Sequence, residues 1–255
     1  RLVHRYHPES GGQKSWPVPE EIGCLIPRKT GGFIAGLQSG LAIIDLDTGD
    51  IDKLGFPEND IPGNRINDGK ADPEGRIWLG TMDNGEREKT GALYRIDADL
   101  SCHQMDKDYA ITNGPAFSPD GNILYHTDTL KKTIYAFDMD EDGGISNKRE
   151  HIHIADDAGY PDGMNTDPEG FLWVGHYNGW RVTRFAPDGG IDRVIEMPVG
   201  ACTNIAFGGP DLETLYVSTA AKQLDAEALA RQPLAGALFE VHVGVKGILP
   251  GRFAG

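Results

Sequence analysis

Cysteine is scarce. Cys24, Cys102 and Cys202 are the three in 255 residues, and no two form a CxxC pair. Neither a disulfide framework nor a zinc knuckle is encoded. Long apolar runs are missing as well, since none approaches the ~18 residues of a membrane span. Positive charge is in short supply: 24 Lys and Arg face 39 Asp and Glu, for a net charge of −15. A polyanion is repelled by such a surface, which argues against nucleic acid and anionic membranes as partners. A neutral or cationic ligand or a metal ion is not repelled. There is no Gly-x-Ser-x-Gly elbow and no P-loop, so serine-hydrolase and nucleotide chemistry have no support. Helical periodicity is nearly absent; "AAKQLDAEALARQ" (220–232) is the one amphipathic stretch and is expected in a loop insertion. No leader is visible, the chain starts at Arg1 rather than Met, and a cytoplasmic protein is expected.

Turn formers are plentiful, with 34 glycines and 16 prolines. They fall in a pattern. "DPEGRIWLGTM" from Asp72, "SPDGNILYHTD" from Ser118 and "DPEGFLWVGHY" from Asp167 are copies of one phrase, with looser copies from Gly208 and Pro27. Their prolines stand at 27, 73, 119, 168 and 210, spaced by 42 to 49 residues. Each copy is a Pro-Asp/Glu-Gly type of turn followed by a short β-branched and aromatic run, which is hairpin chemistry. Further strands are predicted after them, in "GALYRID", "KTIYAFDMD", "ISNKREHIHIA", "WRVTRFAPDGG" and "IDRVIEMPV". Units of ~40–50 residues holding four short strands are the signature of propeller blades.

A second regularity precedes the turns. Six residues before Pro73, Pro119, Pro168 and Pro210 stand Asn67, Asn113, Asp162 and Asn204. Before Pro27 the same count gives Glu21, and alignment on the glycine of that copy gives Gly23. The first strand of each propeller blade lines the central channel, so these short oxygen-bearing side chains are expected to converge. An oxygen cage suits hard cations such as Ca²⁺, Mg²⁺ or Mn²⁺, and the His-rich pattern of a zinc hydrolase is missing, although Zn²⁺ also accepts carboxylates. The plainer reading is that these residues close Asx-turns. "DMDEDG" (138–143) begins like a calcium-binding EF-hand loop, but its twelfth position is Arg149 instead of Glu, so it reads as an acidic hairpin turn. His151 and His153 read as solvated strand residues, while His176 and Tyr177 are open candidates for the channel.

"RINDGKADPEGRIWLGTM", "ITNGPAFSPDGNILYHTDT", "YPDGMNTDPEGFLWVGHYNGW" and the closing "LPGRFAG" together resemble the gluconolactonase/regucalcin family, also called senescence marker protein, over the whole chain. The resemblance implies one six-bladed β-propeller domain over residues 1–255, hydrolysis of a gluconolactone-like sugar lactone, and one divalent metal ion, whether Ca, Zn, Mn or Mg. It implies Asn113 and Asp162 as metal ligands, Asp162 also as the general base, and Arg65 and Asn67 as substrate contacts. Asp83, opening the loop to Thr90, is a further substrate-binding candidate. The family's third ligand, a glutamate on an earlier strand, has no counterpart here. The opening residues match the third and fourth strands of a blade, so the chain is expected to be an N-terminally truncated piece, monomeric or weakly oligomeric. Two other readings keep the fold: a calcium-dependent phosphotriesterase or arylesterase, and a non-catalytic module binding protein partners.

Overall fold

The computed structural model describes residues 1–55 and 57–255, and these form two compact units. The first is Arg1–Thr112 together with Pro250–Gly255. It opens with a hairpin of β1 (Leu2–His7) and β2 (Gly12–Pro17). A four-stranded sheet follows, in the order β3 (Ile22–Pro27), β4 (Phe33–Leu37), β5 (Gly40–Ile44) and β6 (Ile51–Gly55). The next sheet runs through β7 (Asn64–Ala71), β8 (Ile77–Asp83), β9 (Gly91–Ile96) and β10 (Cys102–Tyr109), again in chain order.

The second unit, Asn113–Leu249, repeats the scheme. One sheet holds β11 (Thr112–Phe117), at whose start the boundary falls, β12 (Ile123–Asp128), β13 (Thr133–Met139) and β14 (Ile145–His153). Another holds β15 (Tyr160–Thr166), β16 (Leu172–Tyr177), β17 (Arg181–Phe185) and β18 (Ile191–Glu196). A three-stranded sheet of β19 (Cys202–Gly208), β20 (Thr214–Thr219) and β21 (Leu238–His242) completes it. The amphipathic stretch supplies α1 (Ala226–Arg231), an insertion between β20 and β21 with no buried residue. Among the described residues no helix is long and apolar enough to cross a membrane.

Antiparallel meanders of this kind are the blades of an all-β propeller. The expected count of six is corrected to five blades and a hairpin. Among the described residues β1 and β2 pair with each other as a two-stranded sheet. Five inner strands, β3, β7, β11, β15 and β19, each lead into one of the five copies of the repeat.

The turns explain the repeat. In three copies the glycine N–H bonds back to the carbonyl of the residue before the proline: Gly75 to Asp72 at 3.1 Å, Gly121 to Ser118 at 2.9 Å and Gly170 to Asp167 at 2.9 Å. Where that residue is aspartate, its side chain does more. Asp167 is fully buried; its Oδ1 accepts from the amides of Glu169 and Phe171, and its Oδ2 accepts from the Trp173 indole at 2.9 Å and Arg184 Nη2 at 2.7 Å. Asp72 repeats this with the amides of Gly75 and Arg76, the Trp78 indole at 2.9 Å and Arg76 Nε at 2.6 Å. Both indoles are fully buried, and the carboxylate supplies each N–H with an acceptor.

The cores lie between successive sheets. In the first unit Cys24, Ile26, Ile34, Ile66, Leu79 and Phe253 share one cluster. Phe253 reaches it from the tail, whose backbone bonds to Pro27 O at 2.9 Å, Lys29 N at 2.8 Å and Gly75 O at 3.0 Å. In the second unit one cluster joins Ala116, Ile134, Met164 and Phe185, and another joins Trp173, Met197, Phe207 and Val217.

Three expectations meet their outcome here. "DMDEDG" is the turn between β13 and β14, closed by Asp140 Oδ1 accepting from Gly144 N at 2.7 Å. His153 is exposed, but His151 is half-buried against the Tyr125 ring, 5.1 Å between centroids, so the solvated reading is corrected for it. His176 is 1% exposed, and its Nδ1 donates to Ala158 O at 2.8 Å, anchoring the 3-10 turn Asp156–Ala158 ahead of β15.

Two predictions follow from this packing. Asp167→Ala removes the partner of a 5% exposed arginine and a buried indole, and should cost about 3–5 kcal/mol in urea unfolding; a loss under about 1 kcal/mol would mean that Glu169 and Asp192 suffice for Arg184. Burial holds His176 down from 6.5 to about 4. The folded state therefore resists a proton that the unfolded chain accepts. Stability is complete above pH 6.5 and falls as the pH drops from 6.5 to about 4, by up to about 3 kcal/mol. His176→Gln should flatten that part of the stability profile, and an unchanged slope would show that other groups set it.

Candidate functional site

Four of the inner strands carry an irregularity at or beside the register position. In β3, Ile22 pairs with Leu37 and Cys24 with Gly36, leaving Gly23 as an extra residue. In β7, Ile66 pairs with Thr81 and Asp68 with Gly80, leaving Asn67. In β15 the ladder steps from Pro161 to Met164, leaving Asp162 and Gly163. In β19 the extra residue is Thr203, just before Asn204. β-bulges re-aim a side chain out of the alternating pattern, and they recur beside active sites. Of the two alignments of the first copy, the bulge selects Gly23. A Cβ there would stand 2.4 Å from Ile66 O, so the neighbouring strand excludes any side chain. Glu21 lies ahead of β3 and is exposed.

In the first unit, Arg65 and Asn67 form one assembly. Arg65 donates from Nη1 to Asn67 Oδ1 at 2.8 Å and from Nε to Asn84 Oδ1 at 3.0 Å, and Asn67 Nδ2 donates to Thr112 O at 2.6 Å. The guanidinium is held as a planar fork whose direction is set before any ligand arrives. Asp83 behaves differently. Its carboxylate accepts from the amides of Gly85, Arg87 and Glu88, which pull it below the usual carboxylate range. It shapes the loop, and its neighbour Asn84 is the residue that meets Arg65. The loop's far end is pinned by Thr90, whose hydroxyl donates to Asn64 Oδ1 at 2.6 Å. Asn64 in turn donates to Glu58, a carboxylate only 2% exposed that also accepts from Thr81 and Tyr94. Burial, then the charge of Glu58, push the Tyr94 hydroxyl up.

In the second unit, Asn113, Asp162 and Asn204 stand on the inner strands β11, β15 and β19. Asn113 is 6% exposed and donates from Nδ2 to Thr129 Oγ1 at 2.8 Å. The Thr129 hydroxyl donates to Pro161 O at 3.0 Å, immediately before Asp162. Asn204 lies over Gly163: a Cβ on that glycine would stand 2.3 Å from the Asn204 amide carbon. Asn204 Oδ1 also accepts from the next amide, Ile205 N, at 2.8 Å, a local bond and not an Asx-turn. Beside Asp162 is the buried Cys202, whose thiol is pushed up to about 12 by burial and then by the Asp162 charge. It stays protonated at any working pH and is no nucleophile.

These residues offer one carboxylate and two carboxamides as oxygen donors. Among the described residues no three of His, Cys, Asp and Glu are arranged to hold a metal ion. A cation held here takes amide oxygens, and the donor chemistry fits a hard ion. Sequence reasoning missed Glu58, Asn84 and Thr129. Thr129 carried a signal, since it stands ten residues after Pro119, as Asp83 does after Pro73.

Comparison with known proteins places the chain. The family model described as SMP-30/Gluconolactonase/LRE-like region matches residues 1–221. A 6-deoxy-6-sulfogluconolactonase of Pseudomonas putida is 37% identical over 254 residues, spanning 99% of this chain and 87% of that protein. Regucalcin of Xenopus laevis is 36% identical over 261 residues, with 99% and 87% covered. Among solved structures, a calcium-binding regucalcin from Agrobacterium tumefaciens superposes with a TM-score of 0.94 at 29% identity, covering 99% of this chain and 86% of that one. With its repeat, its blades and this likeness over nearly its full length, the chain belongs to the SMP-30/gluconolactonase/LRE-like family.

Proposed function

We propose that this protein hydrolyses a sugar lactone to the aldonic acid with the help of one divalent cation. The observation that supports it most is the placement of Asn113, Asp162 and Asn204 on the successive inner strands β11, β15 and β19, in a family with a relative named as a sulfogluconolactonase. Asn113 and Asp162 would hold the cation, Asn204 is the adjacent oxygen, and oxygen ligands leave its identity open among Ca²⁺, Mg²⁺, Mn²⁺ and Zn²⁺. When bound, the cation supplies Lewis-acid polarisation of the lactone carbonyl. Asp162 takes the proton of the water whose oxygen adds to that carbonyl. It returns the proton to the ring oxygen as the ring C–O bond opens, so one lactone and one water give one hydroxy acid. The resemblance to the family also gives Arg65 and Asn67 a part in substrate contact, and within the first unit the Arg65 guanidinium is already aligned by Asn67 and Asn84.

The test measures metal content by mass spectrometry and metal-dependent acid release from D-glucono-1,5-lactone and its 6-deoxy-6-sulfo analogue, corrected for spontaneous opening, with a phosphotriester assayed alongside. Asp162→Ala should lose the bound metal and about 10²–10⁴-fold in kcat; full metal content with full turnover would defeat the proposal, and turnover of the phosphotriester alone would transfer it to that chemistry. Asn67→Ala frees the Arg65 fork and should raise KM about 10-fold with a smaller change in kcat. An unchanged KM would remove Asn67 from the substrate contacts.

A further inference from the structure

We propose that Thr129 is a positioning residue that decides which end of the Asn113 amide faces a bound cation. The inference rests on the cation site proposed above and adds a residue that no part of that reading requires. Its basis is a relay of three polar groups in the second unit. Thr129 is 6% exposed and follows the last residue of β12. Its hydroxyl lies 3.0 Å from Pro161 O and 2.8 Å from Asn113 Nδ2.

A hydroxyl has one proton to give and lone pairs to receive with. The carbonyl of Pro161 can only accept, so the proton of Thr129 goes there. What remains on Thr129 toward Asn113 is a lone pair, which can only receive. The Asn113 amide must therefore present its NH₂ to Thr129, and its oxygen, on the other arm of the planar amide, is turned away. An amide in the opposite orientation would set a carbonyl oxygen against a hydroxyl oxygen with no proton left to share. It would also offer two N–H donors where a cation needs an oxygen. Backbone polarity at Pro161 is thus converted, through one hydroxyl, into the polarity of a ligand one strand away. The same hydrogen bond holds the peptide that leads into Asp162, so a single hydroxyl bears on both proposed ligands. Groups that orient metal ligands in this way commonly change metal affinity 10- to 100-fold when removed.

Two substitutions separate positioning from packing. Thr129→Val keeps the shape and removes the hydroxyl; Thr129→Ser keeps the hydroxyl and removes a methyl group. Ca²⁺, Mg²⁺, Mn²⁺ and Zn²⁺ are each titrated calorimetrically into the EDTA-stripped wild type, both variants and Asp162→Ala, and thermal unfolding is recorded with and without the ion. The expected result is that Thr129→Val binds about 10- to 100-fold more weakly and loses most of the ion-induced rise in Tm. Thr129→Ser should stay within about 3-fold of wild type, the margin set by the smaller cost of a lost methyl group. If Thr129→Val binds like wild type while Asp162→Ala does not bind, the cation site stands and the role given to Thr129 is wrong. If Ser weakens binding as much as Val, or more, Thr129 acts by packing and the inference falls. If wild type binds none of the four ions, the cation site itself fails and takes this inference with it.

Discussion

A buried carboxylate at the head of a turn is the tie on which the blades depend. Asp72 and Asp167 each use one oxygen to close their own turn and the other to meet an indole and a guanidinium. Burying such a charge is costly unless every lone pair is used, and here the donors are supplied within one blade. The dependence is visible in the copies that do without it. Where the residue before the proline is Ser118 or Gly209, the position that holds Trp78 or Trp173 holds Leu124 or Leu215. Without an indole N–H to satisfy, no carboxylate is needed. Ser118 then closes its turn with a hydroxyl, accepting from Ile123 N at 2.9 Å.

The bulges add function to that frame. A regular inner strand would send alternate side chains into the neighbouring sheets and leave little choice at its entry. An extra residue breaks the alternation at one level of the strand, and there Asn67 and Asp162 are found. Packing on either side is tight: Gly163 has no room for a Cβ beneath Asn204. Asn67 is held in such a place by the Thr112 carbonyl and the Arg65 guanidinium. Its direction is therefore set by the fold before any ligand is present, which is the condition for electrostatic preorganisation.

The repeat made much of this legible. The five turn phrases gave the five inner strands, and a constant offset from the turn proline gave Asn67, Asn113, Asp162 and Asn204. What stayed hidden was of two kinds. The outer strands β10 and β21 escape notice for different reasons: β10 is mostly exposed, carries little apolar alternation and has two register shifts, whereas β21 is only five residues long and sets just Phe239 and Val241 against the core. The partners of the site residues were hidden because they are chosen by tertiary proximity. Glu58 lies on a loop and Thr129 just beyond a strand, and neither type of residue announces its partner. Asp83 shows the converse. Resemblance pointed to it, yet a carboxylate two, four and five residues ahead of open amides closes on its own loop.

The tail carries a consequence for how the chain is made. Residues 250–255 belong to the first unit, where Phe253 is buried in the core and Arg28 Nε donates to Gly255 O at 3.0 Å across 227 residues of sequence. The second unit is contiguous, so a ribosome releases all of its strands in one stretch. The first unit begins earlier and finishes last. At typical synthesis rates, its opening sheets wait on the order of ten seconds for the residues that complete them. During that interval the cradle for Phe253 is an open apolar groove on a nascent chain. Within residues 1–255 the order in which the two units are completed is thus the reverse of the order in which they begin to be made.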